Sequence, residues 1–139
     1  MSYATRDDLN AAFGPDQVER LAARPDVLDD ATTVARALSH AAGVIDGRLS
    51  VRFTLPLPAV PDVLRDIACD LAIARLASDA TGLTDDLKRR EDQALTNLKA
   101  IARGEMNLGL PTPDAAERPQ PIVASSGGKL FTRDSLRRW

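Results

Sequence analysis

The sequence predicts an all-α domain: a small helical bundle with two short N-terminal helices, three longer helices and an extended C-terminal tail. Three observations carry this. Alanine occurs 22 times in 139 residues and arginine outnumbers lysine 15 to 3, a bias toward side chains that lose little freedom in a helix. Apolar residues recur at intervals of three and four, the period of one helix face. Candidate caps and prolines fall at the ends of each periodic stretch. The length suits a single domain of roughly 100–200 residues, the helix bias argues against an all-β architecture, and the 4% aromatic content implies a core poor in large rings.

The elements follow in order. Thr5 with Asp8 three residues later forms an N-terminal capping arrangement, so a short helix should run from Arg6 to Phe13. Gly14 ends it, and Pro15 opens a second short helix carrying Val18, Leu21 and Ala22, closed by Arg24-Pro25. Asp29 or Asp30 caps a long helix whose stripe is Val34, Leu38, Ala41, Ile45 and Leu49. Gly43 and Gly47 inside it suggest another helix passing close by. This helix should stop near Arg52, because Pro56, Pro58 and Pro61 forbid its continuation, leaving a stiff, extended connector. Pro61 begins a helix with Val63, Leu64, Ile67, Ala68, Leu71, Ala72 and Leu76 on one side, apolar nearly all round at its start and therefore central. Gly82 ends it. Thr84 caps a last helix of about 19 residues up to Gly104, with Leu87, Ala94, Leu98 and Ile101 inward. The expected core comprises Val34, Leu38, Ile45, Leu64, Ile67, Leu71, Leu98 and Ile101.

Residues 1–110 thus read as the helical domain. Residues 111–128 hold PTPDAAERPQP and SSGG and read as a linker, too rich in Pro, Ser and Gly to bury a core of its own. Residues 129–139, KLFTRDSLRRW, restore Leu130, Phe131, Leu136 and Trp139 among basic residues, the composition of a docking segment. Phe131, Leu136 and Trp139 are the expected anchors, with Arg133, Arg137 and Arg138 meeting carboxylates at the rim. Eighteen residues at about 3.1 Å each would let the linker reach roughly 55 Å.

Charge and composition exclude several functions. The first 110 residues carry 13 Lys/Arg against 17 Asp/Glu, and residues 111–139 carry 5 against 3. The acidic body argues against non-specific DNA binding, which needs clustered cations. The longest stretch without a charge, Pro119 to Gly128, is ten residues, far short of the roughly 20 that span a bilayer. Asp7 and Asp8 stand where a secretory signal would place basic residues, so the cytosol is the default compartment.

The chemistry of a catalytic or metal site is hard to assemble from these residues. His40 is the only histidine and Cys69 the only cysteine, so neither a Ser-His-Asp relay nor a zinc cluster can be built within one chain. Cys69 lies on the central helix, where a thiol acts as a small apolar group. Asp62, Asp66 and Asp70 line one helical edge without a calcium-loop pattern, and are expected to pair with arginines such as Arg65 and Arg75 or to line a polar surface. SSGGK lacks the spacing and preceding strand of a phosphate loop. The expectation is a protein that is not an enzyme, with no catalytic residues, metal or cofactor.

Four pieces in order, YATRDDLNAAFG, IDGRLSVRFTLPLP, LRDIACDLAIARL and FTRDSLRRW, give the chain a resemblance to the Mu-like phage and prophage head-tail connector (adaptor) family over nearly its whole length. The resemblance implies a non-catalytic helical virion protein at the neck, present in the host cytoplasm before assembly. There it would form a homo-oligomeric ring of about a dozen copies between the portal protein and a downstream neck or tail protein, and DNA would pass through the lumen without specific binding. It implies fold-determining roles for Asp46, Gly47, Arg52, Phe53, Leu55 and Pro56 in the turn between two long helices, and for Ala68, Cys69 and Asp70 in the central helix. Phe53 departs from a tyrosine expected to be common in the family, as does the ending Arg138-Trp139 from glycine and an aromatic. The tail would dock on another subunit, with the portal as the expected receiver. Two other readings exist: a helical DNA-binding or packaging regulator reading DNA through Lys88 to Arg90, and a small enzyme or ligand-binding protein whose site is shared between chains, using His40 or the aspartate row.

Overall fold

The computed structural model describes residues 1–23 and 29–112; the close of the second short helix at Arg24-Pro25, and the linker and docking segment beyond Thr112, lie outside them. Five helices appear among the described residues, with no strand: α1 (Arg6–Phe13), α2 (Pro15–Ala22), α3 (Asp30–Leu49), α4 (Asp62–Ala80) and α5 (Asp85–Arg103).

The termini of the helices are set by local chemistry. At α1 the Thr5 hydroxyl accepts the Asp8 N–H at 3.3 Å while the Asp8 carboxylate accepts the Thr5 N–H at 2.8 Å, so two otherwise unpaired donors are satisfied reciprocally. Gly14, at φ 87°, is both the C-cap of α1 and the N-cap of α2, a conformation that a side chain would strain. Asp29 and Thr84 accept the N–H groups of Thr32 and Leu87, capping α3 and α5.

α4 packs against all four other helices. Of its residues from Ile67 to Ala77, all but Asp70 and Arg75 are buried, the pattern of a helix enclosed on most of its circumference. α3 lies along it, and α5 touches both. Leu9, Val18, Val34, Ile45, Leu49, Leu64, Ile73, Leu76, Leu98 and Ile101 are fully enclosed, each such side chain adding about 1.5–3 kcal/mol relative to exposure.

Seven of the eight expected core residues are buried, and Leu38 is only partly so, packed at the margin of the core. Val63 is 43% exposed; it sits one position off the buried ridge of Leu64, Ile67, Ala68 and Leu71. α3 stops at Leu49 rather than near Arg52: the Arg52 N–H bonds the Leu49 carbonyl only three residues back, a tightened 3₁₀-type turn, and the Phe53 N–H shares that acceptor before the prolines act. The connector is not a free strap: it bends, with a cis Leu55-Pro56 bond, and buries Phe53 and Leu57 while Leu55 and Val60 pack against the core. Nothing among the described residues approaches Gly43 or Gly47, so the inference of a helix passing close to them fails. Met106, Leu108 and Leu110 lie partly buried against the core after α5.

Candidate interaction surface

Two of the residues assigned to the α3–α4 turn, Asp46 and Arg52, bind distant parts of the chain. Asp46, in the last turns of α3, accepts a short hydrogen bond from the Tyr3 hydroxyl. Burial, reinforced by that carboxylate, pushes the Tyr3 phenol well above its ordinary range. The second Asp46 oxygen lies 3.5 Å from the Met1 amino group, and the Leu57 N–H donates to the Met1 sulfur at 3.3 Å. The segment before α1 is thereby fastened to both α3 and the connector.

Arg52 fastens the other side. Its Nη1 donates to the Ile101 carbonyl in α5 at 3.2 Å, and its guanidinium lies 5.6 Å from the Phe53 ring centroid, within the range of a cation–π contact. Gly104 caps α5 with φ 82°, and a Cβ there would come within 2.6 Å of Arg52 Nη1. Glycine therefore serves the left-handed cap and the close guanidinium at once. A ring at 53 needs no hydroxyl for this arrangement, since Phe53 is 4% exposed and is held by packing and by Arg52. Gly47 and Pro56 are exposed, and Leu55 is partly buried.

In α4, Ala68 and Cys69 are buried and Asp70 is half-buried. Burial first, then the carboxylates of Asp8, Asp66 and Asp70, push the Cys69 thiol up to about 11, so it stays protonated and unreactive at neutral pH. Burial likewise raises the Asp70 carboxyl, against the opposing pull of Arg90 3.7 Å away. The aspartate row is only partly paired as expected. Asp62 binds Arg65 at 2.8 Å, and Asp70 faces Arg90 from α5, but Arg75 turns along its own helix to Asp79 at 3.1 Å. An i,i+4 partner is nearer to Arg75 than the row, which runs along another side of α4. No group of three or more metal-ligating side chains occurs among the described residues.

The candidate DNA-reading residues are largely engaged within the domain: Arg89 faces Asp86 at 3.8 Å, and Arg90 lies over the Phe13 ring at 5.5 Å besides its contact with Asp70. His40 is exposed beside Arg36, Arg75 and Asp79 at a small recess of about 170 Å³ between α3 and α4. No helix among the described residues is long and apolar enough to cross a membrane.

The feature the sequence reading missed is a groove of about 590 Å³ between the segment before α1 and α3. Its floor is two ridges of α3, Ala35-Ser39-Gly43 and Leu38-Ala42-Asp46, each a row of every fourth residue. Ser2, Ala4 and Thr5 form the facing wall. The signal was present in Gly43 and its small neighbours, which lower one side of the helix; the error lay in supposing that another helix of the bundle fills the space.

Taken together, these features define a small all-α domain in which Asp46 ties the N-terminal segment to α3 and Arg52 ties the turn after α3 to α5. Residues 3–125 match the family described as Bacteriophage Mu, Gp36, and the chain belongs to that family of Mu-like phage proteins. It is 31% identical over 138 residues to the Mu-like prophage FluMu protein gp36 of Haemophilus influenzae, covering 97% of this chain and 96% of the relative. It is 39% identical over 138 residues to Gene product J of Escherichia phage Mu, covering 96% of each.

Proposed function

We propose that the chain is a structural virion protein, a head-tail connector (adaptor) that forms a ring between portal and tail components and lets DNA pass. The observation that carries this reading is membership of a Mu-like phage family over nearly the whole chain. The one thiol is buried and protonated, which suits packing rather than nucleophilic chemistry and favours a non-enzymatic role. A ring of about a dozen copies repeats one heterologous contact and closes only if each subunit offers two different complementary faces. The exposed Val51 and Val63, 80% and 43% accessible, and the groove beside α3 offer such faces. An excess of carboxylates over residues 1–110 suits a lumen through which phosphates must slide without sticking. In this reading the C-terminal residues Leu130, Phe131, Arg133, Leu136, Arg137, Arg138 and Trp139 attach the subunit to a neighbour.

Deleting the gene tests the reading. DNA-filled heads and finished tails should accumulate unjoined, and images of the particle neck should lack one ring. Heads and tails that join normally without the protein would remove the adaptor function.

A further inference from the structure

The groove beside α3 is left unfilled by the described bundle. Leu38 continues the apolar stripe of α3 yet is left half-covered, and nothing lies within 4 Å of a Cβ built at Gly43. The same chain carries an apolar, aromatic segment that the described bundle does not include. We propose that the C-terminal segment 129–139 of a second copy docks in this groove, with Phe131 and Trp139 over the low ridge of Ala35, Ser39 and Gly43. This rests on the adaptor reading for its setting and replaces the portal with a sister subunit as the tail's receiver.

Two observations support that occupant. The segment carries Lys129, Arg133, Arg137 and Arg138 against Asp134, a balance of +3, whereas residues 1–110 balance at −4; opposite net charge favours encounter. The second is length. Arg52 at the end of α3 binds the Ile101 carbonyl, so α5 ends beside the end of α3 and the chain leaves α5 near the Asp46 end of its own groove. Docking there would need only a short connection. Residues 113–128, at about 3.1 Å each, can extend to roughly 50 Å, a reach suited to a neighbouring subunit. The groove's volume lies within the ~300–1,000 Å³ of pockets that hold drug-sized groups, and buried aromatics dominate such contacts.

Trp139 is the only tryptophan and reports directly on docking in the full chain. At micromolar concentration and low salt, its emission should be shifted to the blue and its anisotropy raised. The variant Ser39→Arg/Gly43→Arg, altered at two exposed helix positions, should lose both signals while keeping its helical circular dichroism. Adding an excess of the Trp139→Ala chain, whose groove is open and which has no tryptophan, should restore the blue shift to the groove variant. Identical emission from the wild type and the groove variant would overturn the inference. So would loss of the signal without restoration on mixing, because that marks docking within one chain. Either result leaves the adaptor reading standing, since that reading falls only if heads and tails join without the protein.

Discussion

α3 and α4 are nearly equal in length, 20 and 19 residues, and lie against one another, yet ten residues of α4 are buried and seven of α3. The difference is one of position. α4 meets every other helix, so its sequence is apolar around most of its circumference. α3 meets its neighbours on one side, and along its other side small residues leave a groove that the bundle does not fill. A helix at the centre spends its sequence on cohesion, and one at the border keeps a face available.

The largest test of this contrast is truncation. Leu64→Ala in α4 or Leu98→Ala in α5, both fully buried, should each lower unfolding free energy by about 2–5 kcal/mol, read from urea denaturation. Ser39→Ala in the groove should change it by no more than about 0.5 kcal/mol. Comparable losses at both places would break the distinction between a cohesive helix and a border helix.

The next test addresses the fastening at the end of α3. Gly104→Ala places a side chain in the left-handed region, at about 1–2 kcal/mol, and pushes the Arg52 guanidinium from its place on the Ile101 carbonyl. Arg52→Met removes the same hydrogen bond. The double variant should therefore cost less than the sum of the two single changes. Strict additivity in thermal unfolding would mean that the guanidinium and the cap act separately.

Much of the bundle was legible in the sequence because its signals are local. Thr5, Gly14, Pro15, Asp29, Thr84 and Gly104 mark helix ends through hydrogen bonds and backbone angles that span only a few residues, and the bounds they imply for α1 and α5 match the structure. The stripe of α5 was equally plain, since Leu87, Ala94, Leu98 and Ile101 all face inward. What was not legible depends on partners far along the chain. Nothing in Tyr3 announces that it bonds Asp46, 43 positions away, and nothing in Arg52 announces Ile101. Gly43 showed the same limit from the other side: a small residue signals close approach or open space equally well, and only the positions of the other helices decide.

A smaller effect sharpens the comparison at the N-terminal segment that walls the groove. Thr5→Ala removes the hydroxyl half of the capping box and should cost about 1 kcal/mol. Because Thr5 also lines the groove, fraying there should raise amide exchange from Thr5 through Asp8 and leave α4 protected. Protection lost equally in α4 would show that the segment is part of the central cohesion.

The smallest expected effect is a pair of opposed pH dependences. Asp8 accepts the backbone N–H and then the hydroxyl of Thr5, and these hold its carboxyl below the ordinary value of 3.8. Its contribution is therefore present above that value and is lost as pH falls through the lower folded pKa. Asp70 is shifted the other way, because burial outweighs Arg90. As pH rises past 3.8 the unfolded chain releases the Asp70 proton first, so stability falls across the window up to the raised folded pKa and stays lower above it. Asp8→Asn should consequently lose stability relative to the native chain as pH rises through the acid range, and Asp70→Asn should gain over the same interval. Thermal midpoints of the three proteins between about pH 2 and pH 6 give two difference curves, which must slope in opposite directions. Curves of the same sign would mean that Arg90, at 3.7 Å, outweighs the burial of Asp70, and that α4 is wetter at this position than its enclosure by α5 suggests.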